Sequence, residues 1–435
     1  MRDSPEARRP HAGSHADARL SSSVNAWRCT APWLALIALL VVPPFLSSQS
    51  WLLAYLAQTA TMIVFALSYN LLLGETGLLS FGHAAFAGLG ALGAAHLFNR
   101  VGIALPWLPL AGGVGGTLAG TLAGAVATRR AGTAFAMITL GIGELVAAAT
   151  WTLPDWFGGV AGVLIDRASG PMWGRWTFGP TREAYAVIAL WCLVASVAMW
   201  ALSRTPLVRL ANAVRDNPVR AAAIGCNPRQ VRYVMFVLAS FFAGVAGTLG
   251  LINVELVSTE SVGMLRSGSV LLATVIGGTG AFFGPVAGAV VLVFFSVALA
   301  NATHAWLFYL GLFFIVVVAG SPDGLMGFAA RTRARFARHG WRACMPLYLL
   351  DTCCALCWTL AVVLAVQWAY ALQSSDDVAG DRVRLGNFTL VSTTSIAMML
   401  AAILALTAAG WFAWRYAQRR WLQLGRATAS AGALR

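Results

Sequence analysis

The chain contains no lysine, because all 30 of its basic residues are arginine. Charge of either sign is scarce: charged residues make up 11% of the 435 positions, against about 25% in a soluble domain. Without lysine, the chain has neither the P-loop lysine that contacts nucleotide phosphates nor a Schiff-base lysine. These absences exclude an ordinary soluble fold and indicate that any ATP-driven work is powered by another chain.

Long apolar runs dominate what is present, and apolar residues make up 59% of the sequence. A helix needs about 20 apolar residues to cross a bilayer. The runs are continuous rather than alternating, which disfavours a β-barrel. We predict an all-α, polytopic integral membrane helix bundle with about ten core spans and a C-terminal two-span hairpin. The predicted crossings are 31–46, 51–73, 83–98, 106–127, 131–152, 185–202, 233–253, 267–280, 281–300, 304–320, 345–372 and 388–414.

Arginine placement predicts the orientation of these spans. With the N-terminus in the cytoplasm and the crossings alternating, the cytoplasmic segments hold 23 arginines and six acidic residues. The outer loops then hold seven arginines and eight acidic residues, and both termini are cytoplasmic. The net charge of +14 is therefore interpreted as a topology signal. We expect the chain to contact membrane lipid and to bind no nucleic acid.

The sequence divides into three predicted parts. Residues 1–30, with five arginines, are expected to be a disordered cytoplasmic segment. Residues 31–330 form the predicted transmembrane domain, and residues 343–435 an extra hairpin of unknown role. Cys354 and Cys357 form a C-x-x-C within an apolar run, which we interpret as buried packing residues. No metal and no cofactor are expected.

Two glycine-rich segments interrupt the apolar runs, GETGLLSFGHAAFAGLG at 74–90 and GGTGAFFGPVAG at 277–288. Glycine and proline weaken a helix, and backbone groups freed inside a bilayer must face protein or water. Such broken or re-entrant segments are typical of a transport pathway. The candidate pathway residues that they contribute are Ser80, His83, Gly277, Gly280 and Gly284.

Glu144 lies within another apolar run and is a further pathway candidate. A charged side chain there costs about 2.5–3.5 kcal/mol on insertion scales. Either it faces the pathway, or it pairs with a backbone group or with His83. By contrast, Gly112, Gly116, Gly120 and Gly124 recur every four residues and predict a close helix contact without a substrate role.

The loop at 203–232 is the most distinctive polar segment, with six arginines and two Asn-Pro breaks. Val219 to Ile224 is predicted to form a short helix that Gly225 can cap. The loop is either a docking element for a cytoplasmic partner or an ordinary arginine-rich loop. The coupling candidates are Arg215, Asp216, Asn217, Pro218, Ala221, Ala222 and Gly225.

At these positions the sequence resembles the LivM-type permeases of branched-chain amino acid ABC importers, over about residues 50–330. The stretches that carry the resemblance are SYNL with G-x-x-S-x-G-H at 68–83, TLGIGE at 139–144, RDNP with its following Ala-Ala and Gly at 215–225, the Gly-rich 277–288, and SPDGL at 321–325. Arg220 departs from the Glu that other ABC permeases carry in their EAA pattern. Residues 343–435 exceed the family core.

The resemblance implies a permease subunit of the bacterial inner membrane, and not an enzyme. It would move branched-chain amino acids, or related small polar solutes such as amides or urea, into the cytoplasm by alternating access. The implied partners are a LivH-type permease in a heterodimer, two cytoplasmic ATP-binding subunits that hydrolyse ATP, and a periplasmic substrate-binding protein. The cytoplasmic helix at 210–228 would transmit the motion of the ATPases.

A second hypothesis is an ion-gradient-coupled secondary transporter that uses Glu144 and His83 as its coupling pair. A third is a membrane scaffold or enzyme. The sequence offers no nucleophile–base spacing, metal-ligand cluster or nucleotide loop in support of an enzyme.

Overall fold

The computed structural model of the protein describes residues 13–46, 49–172, 174, 176–377, 384–385, 388–389 and 393–433. Residues 1–12 of the predicted disordered segment lie outside this range. Residues 13–30 of that segment lie in a helix that begins at Gly13.

Helices account for most of the described residues. In chain order they are α1 (Gly13–Leu46), α2 (Ser50–Thr76), α3 (His83–Val101), α4 (Leu108–Ala127), α5 (Thr133–Thr152), α6 (Pro154–Phe157), α7 (Thr181–Ser203), α8 (Pro206–Asp216), α9 (Pro218–Ala223), α10 (Pro228–Val254), α11 (Met264–Gly277), α12 (Gly284–Val293), α13 (Ala300–Ala302), α14 (Trp306–Gly320), α15 (Gly324–His339), α16 (Trp341–Asp377) and α17 (Thr393–Ala433). A π-helical stretch, Phe294–Leu299, joins α12 to α13.

In the described ranges, four short strands form two antiparallel pairs. Strand β1 (Val163–Leu164) pairs with β2 (Leu256–Val257), with Val163 opposite Val257. Strand β3 (Arg384–Leu385) pairs with β4 (Phe388–Thr389), with Arg384 opposite Thr389. Short 3-10 turns lie at Leu105–Trp107, Gly159–Ala161, Arg167–Ser169 and Thr259–Ser261.

Eight helical stretches in the described part are long and apolar enough to cross a membrane, which confirms the predicted multi-pass class. They are Ser50–Thr76, Leu105–Ala127, Thr133–Thr152, Thr181–Ser203, Pro228–Val254, Gly284–Ala302, Cys344–Ala369 and Met399–Arg420. The bent pair of α14 and α15 adds a ninth candidate. The predicted crossing at 267–280 differs, because α11 has 14 residues and a length of about 21 Å, short of a bilayer core of about 30 Å.

Helices α2 and α10 occupy the centre of the bundle, and each has 27 residues. Their apolar windows are 67% and 72% buried, whereas the other candidate spans are a third buried or less. Helix α2 packs against α7, α11 and α12, and α10 packs against α3 and α4. These two helices therefore hold the elements that carry the candidate site.

The contact between α4 and α10 explains the glycine row of α4. Its members turn their bare backbone toward α10, where a Cβ at Gly116 would lie 3.0 Å from the Cα of Gly244. No larger residue fits such an approach without moving a helix. The packing interpretation of Gly112, Gly116, Gly120 and Gly124 is confirmed.

The chain divides into two compact units, Met1–Gly327 and Phe328–Arg435. In the second unit, α16 packs against α17. Trp358 Nε1 donates to the carbonyl of Thr407 at 3.4 Å, and the Cys354 thiol lies 3.0 Å from the carbonyl oxygen of Gly410. Cys354 is buried in this contact, in agreement with its predicted packing role. Much of the acidic outer loop predicted at 373–387 lies outside the described residues.

Candidate functional site

Helix α2 ends in a glycine turn, after which the chain runs back along the helix. Gly77 adopts φ +69°, a conformation that favours glycine, and its N–H donates to the carbonyl of Leu72. The N–H of Leu78 donates to the same carbonyl at 2.9 Å. Residues 77–82, here called the re-entrant segment, then lead without helical structure to the start of α3 at His83.

Two contacts place the re-entrant segment inside the bundle. The Tyr69 hydroxyl donates to the carbonyl of Ser80 at 2.8 Å, and Ser68 Oγ lies 3.0 Å from His83 Nε2. Tyr69 lies seven residues before the end of α2, which is about 10 Å along the helix. The segment therefore reaches about 10 Å back from the helix end, as the glycine-rich sequence predicted.

Side chains from distant helices satisfy backbone N–H groups of this segment and of the first turn of α3. Thr139 Oγ1 on α5 accepts from the N–H of Phe81 at 3.3 Å, and Ser267 Oγ on α11 accepts from the N–H of Ala84 at 3.0 Å. Irregular backbone within a bilayer is tolerated only where protein or water satisfies it. The contacts of α5 and α11 therefore make the re-entrant path of the chain stable.

A buried polar cluster lies where the re-entrant segment meets α2. His83 is fully buried and stacks on Phe65 with ring centroids 5.4 Å apart. Within the described residues, His83 Nδ1, Ser80 Oγ and Asn70 Oδ1 are buried and have no hydrogen-bond partner. Buried polar atoms normally have one, so these three atoms are unusual among the described residues.

Arg266 adds a positive charge near this cluster, and sequence reasoning missed it. It lies in the first turn of α11, half-buried, with its guanidinium carbon 5.9 Å from the centroid of the Phe65 ring. His83 stacks on that same ring. The available signal was an arginine at the start of an apolar run, but the sequence did not show which helix it faces.

The structure does not bring Glu144 and His83 together. Gly143 packs on the re-entrant segment, where its Cβ would lie 3.0 Å from the Cα of Gly82. The next residue, Glu144, is exposed on the other side of α5, and no hydrogen bond or ion pair links it to a described residue. The coupling pair of the secondary-transporter hypothesis is therefore not formed in the described structure.

The loop at 203–232 folds as two short helices, α8 and α9. Asn217 Oδ1 accepts from the N–H of Arg220 at 2.9 Å and caps α9, and Gly225 follows the helix with φ +84°. The predicted short helix and its glycine are confirmed. Val219 and Ile224 are 79% and 73% exposed, so this arginine-rich loop also presents apolar side chains.

Helix α8 is fastened to the C-terminal end of α2, a contact that sequence reasoning also missed. Asn212 Nδ2 donates to Glu75 Oε2 at 2.9 Å, and Arg215 Nη1 donates to the carbonyl oxygen of Gly74. The Arg215 side chain also lies over Gly77, where a Cβ would be 2.8 Å from its Cγ. We call these contacts the α8 clamp. It joins the candidate coupling loop to the turn from which the re-entrant segment begins.

The sequence matches the model of a family described as "Branched-chain amino acid transport system / permease component" over residues 51–320. The chain belongs to this permease family. The match includes the re-entrant segment, α5, α8 and α9, and it ends before the second compact unit. The predicted permease function is confirmed.

Two relatives are similar to the permease over two thirds of its length. The high-affinity branched-chain amino acid transport system permease protein LivM of Salmonella typhimurium is 28% identical over 316 residues, which covers 67% of this chain and 74% of the relative. LivM of Escherichia coli is 28% identical over 317 residues, with the same shares. No solved structure matches the chain.

The second glycine-rich segment of the permease forms a helical hairpin from α11 and α12. A Cβ on Gly277 or Gly284 would overlap backbone of the facing arm, and one on Gly288 would lie 2.8 Å from the nitrogen of Gly277. A Cβ on Gly280, in the turn, would meet nothing within 4 Å. Gly277 and Gly284 thus hold the two arms together, whereas Gly280 leaves open space.

Proposed function

We propose that the permease is a translocation subunit of an ATP-binding-cassette importer in the bacterial inner membrane, with both termini cytoplasmic. It moves branched-chain amino acids, or related small polar solutes such as amides or urea, by alternating access. Its partners are a LivH-type permease, two cytoplasmic ATP-binding subunits that hydrolyse the ATP, and a periplasmic substrate-binding protein. Residues 31–330 form the transport domain, and 343–435 an accessory hairpin.

The α8 clamp is the observation that carries this proposal. The loop of α8 and α9 exposes Val219 and Ile224 beside arginines, which suits contact with a soluble partner. A displacement of this loop pulls on Gly74 and Glu75 through Arg215 and Asn212. Because Gly77 follows at once, the displacement reaches the re-entrant segment and the polar cluster at its far end.

The polar cluster is the proposed pathway centre. Ser80 and His83 offer buried hydrogen-bonding atoms, and Arg266 offers a positive charge suited to a carboxylate. Glu144 and Gly280 stay in the proposed pathway set, at its edge. Gly277 and Gly284 contribute by holding the α11–α12 hairpin closed.

Reconstitution of the complete transporter in proteoliposomes tests the proposal. Uptake should need ATP and the binding protein, and an uncoupler should leave it unchanged. Val219→Asp should reduce co-purification of the ATP-binding subunits, whereas Leu118→Ala, on the exposed face of α4, serves as the control. Uptake that persists without ATP and collapses with the uncoupler would instead establish ion coupling.

A further inference from the structure

Helix α5 presents an exposed stripe that differs in chemistry from the other exposed helix faces. Its members follow one another at steps of three and four residues, which places them on one side of the helix. We call this set the α5 stripe, and its exposed members are Ala134, Met137, Gly141, Glu144, Ala148 and Trp151.

Glu144 is the charged member of the stripe and lies well inside the span. It is the twelfth of the 20 residues of α5, about 16 Å from one end and 12 Å from the other. A charged side chain at such a depth is unfavourable by about 2.5–3.5 kcal/mol on insertion scales unless it is paired. The described residues supply no partner, so the pairing group belongs to something that covers the stripe.

The exposed face of α4 shows what a lipid-facing stripe of this chain looks like. Val114, Leu118, Leu122 and Val126 follow at steps of four, and they are 56%, 62%, 78% and 55% exposed. All four are bulky and aliphatic, as contact with acyl chains favours. The α5 stripe has a carboxylate in their place and alternates large residues with small ones.

The small residues of the stripe allow a neighbouring helix to come close. Ala134, Gly141 and Ala148 recur every seven residues, and a Cβ on Gly141 would meet nothing within 4 Å. Small residues at such spacing let helix backbones approach in a membrane. The occupant that fits is therefore a helix, and it must bring a donor to the level of Glu144.

Two occupants fail on charge. Lipid acyl chains offer Glu144 no hydrogen-bond donor. A second copy of this chain, related by a two-fold axis along the membrane normal, would place one Glu144 opposite another at the same depth. Two carboxylates that share a site repel, and one must take up a proton. A related but different chain avoids this repulsion.

We infer that the α5 stripe is the contact face for a second permease chain of the same family, and that Glu144 accepts a hydrogen bond from a basic or amide side chain of that chain. The inference rests on the proposed function, because it requires a two-permease transporter. The opposite side of α5 holds the re-entrant segment through Thr139 and Gly143. The partner would therefore lie one helix away from the polar cluster at the proposed pathway centre, with Glu144 at the edge of the pathway.

Photo-crosslinking in native membranes of the whole transporter tests this contact. A benzoylphenylalanine at Leu145, which is 70% exposed beside Glu144, should form an adduct with a different chain of the same family, identified by peptide mass spectrometry. The same probe at Leu118 is the control and should label lipid. An adduct of Leu145 with lipid alone, or with a second copy of this chain, would overturn the inference.

Two substitutions of Glu144 give an independent readout. Glu144→Leu should lower co-purification of the second permease chain about tenfold, since it leaves a buried donor unpaired. Glu144→Gln keeps an acceptor and should lower it less. If Glu144→Leu leaves co-purification unchanged, the stripe faces lipid. If that Glu144→Leu sample still contains the ATP-binding subunits, only this inference is rejected. If the wild-type complex lacks the ATP-binding subunits, the proposed function is rejected.

Discussion

Replacing Gly77 with alanine is the sharpest test of the α8 clamp. Gly77 has φ +69°, where an L-residue costs about 1–2 kcal/mol. The new Cβ would also lie 2.8 Å from Cγ of Arg215. Since the Arg215 side chain is 41% exposed, it has room to swing outward, and its hydrogen bond to the carbonyl of Gly74 is then lost.

The size of the effect follows from these two contributions. A hydrogen bond from a charged donor contributes about 1.5–3 kcal/mol, and partial exposure of Arg215 places this one at the low end. Backbone strain acts on stability alone, whereas the lost hydrogen bond acts on the connection between α8 and α2. A weakening of the connection by about 1.4 kcal/mol corresponds to a tenfold change in an equilibrium.

Gly102 provides a matched control. It ends α3 with φ +70°, but a Cβ there would meet nothing within 4 Å. Gly102→Ala therefore imposes similar backbone strain without touching Arg215. Both variants should lower the melting temperature of the purified transporter by a similar amount.

The decisive quantity is substrate uptake per ATP hydrolysed in proteoliposomes. Gly77→Ala should lower this ratio about tenfold, and Gly102→Ala should leave it unchanged. Equal ratios in the two variants would refute the idea that Arg215 transmits motion to the re-entrant segment. A fall in uptake with a matching fall in ATP hydrolysis would point to lost ATPase binding instead.

Three further predictions follow from the fold. Gly225→Val should abolish co-purification of the ATP-binding subunits and Gly225→Asn should retain it, because Asn tolerates the φ of +84° at this position; wild-type uptake in the valine variant would contradict the docking role. Gly116→Val should sharply reduce the yield of folded protein by forcing α4 from α10, whereas Gly141→Val should fold normally; equal yields, measured by detergent gel filtration, would show that the close approach is not needed. Deletion of 343–435 should leave ATP-driven uptake largely intact, and complete loss with normal membrane insertion would make the hairpin part of the transport machinery.

The features that the sequence predicted correctly have local signals. The glycine row of α4 is a period of four within one helix. Asn217 before α9 and Gly225 after it indicate where that helix begins and ends. Likewise, the glycines of the re-entrant segment indicate a break in the helix. Each of these inferences needs only the residues within about a dozen positions of one another.

The contacts that sequence reasoning missed join residues far apart in the chain. Asn212 and Glu75 are 137 residues apart, and nothing within one sequence identifies them as partners. The side of a helix that a residue occupies is equally non-local. Gly143 and Glu144 are neighbours, yet successive helical residues point about 100° apart, so one packs on the re-entrant segment and the other is exposed.

The re-entrant segment also has a consequence for biogenesis. The acceptor for the N–H of Phe81 is Thr139, which is synthesised 58 residues later. The acceptor for the N–H of Ala84 is Ser267, which is synthesised 183 residues later. At 5–20 residues per second, the ribosome needs roughly 10–40 s to supply the second partner. An unsatisfied backbone does not enter lipid, so this stretch stays at the water interface until α11 has emerged. We therefore expect the re-entrant segment to be among the last parts of the first unit to settle into the bilayer.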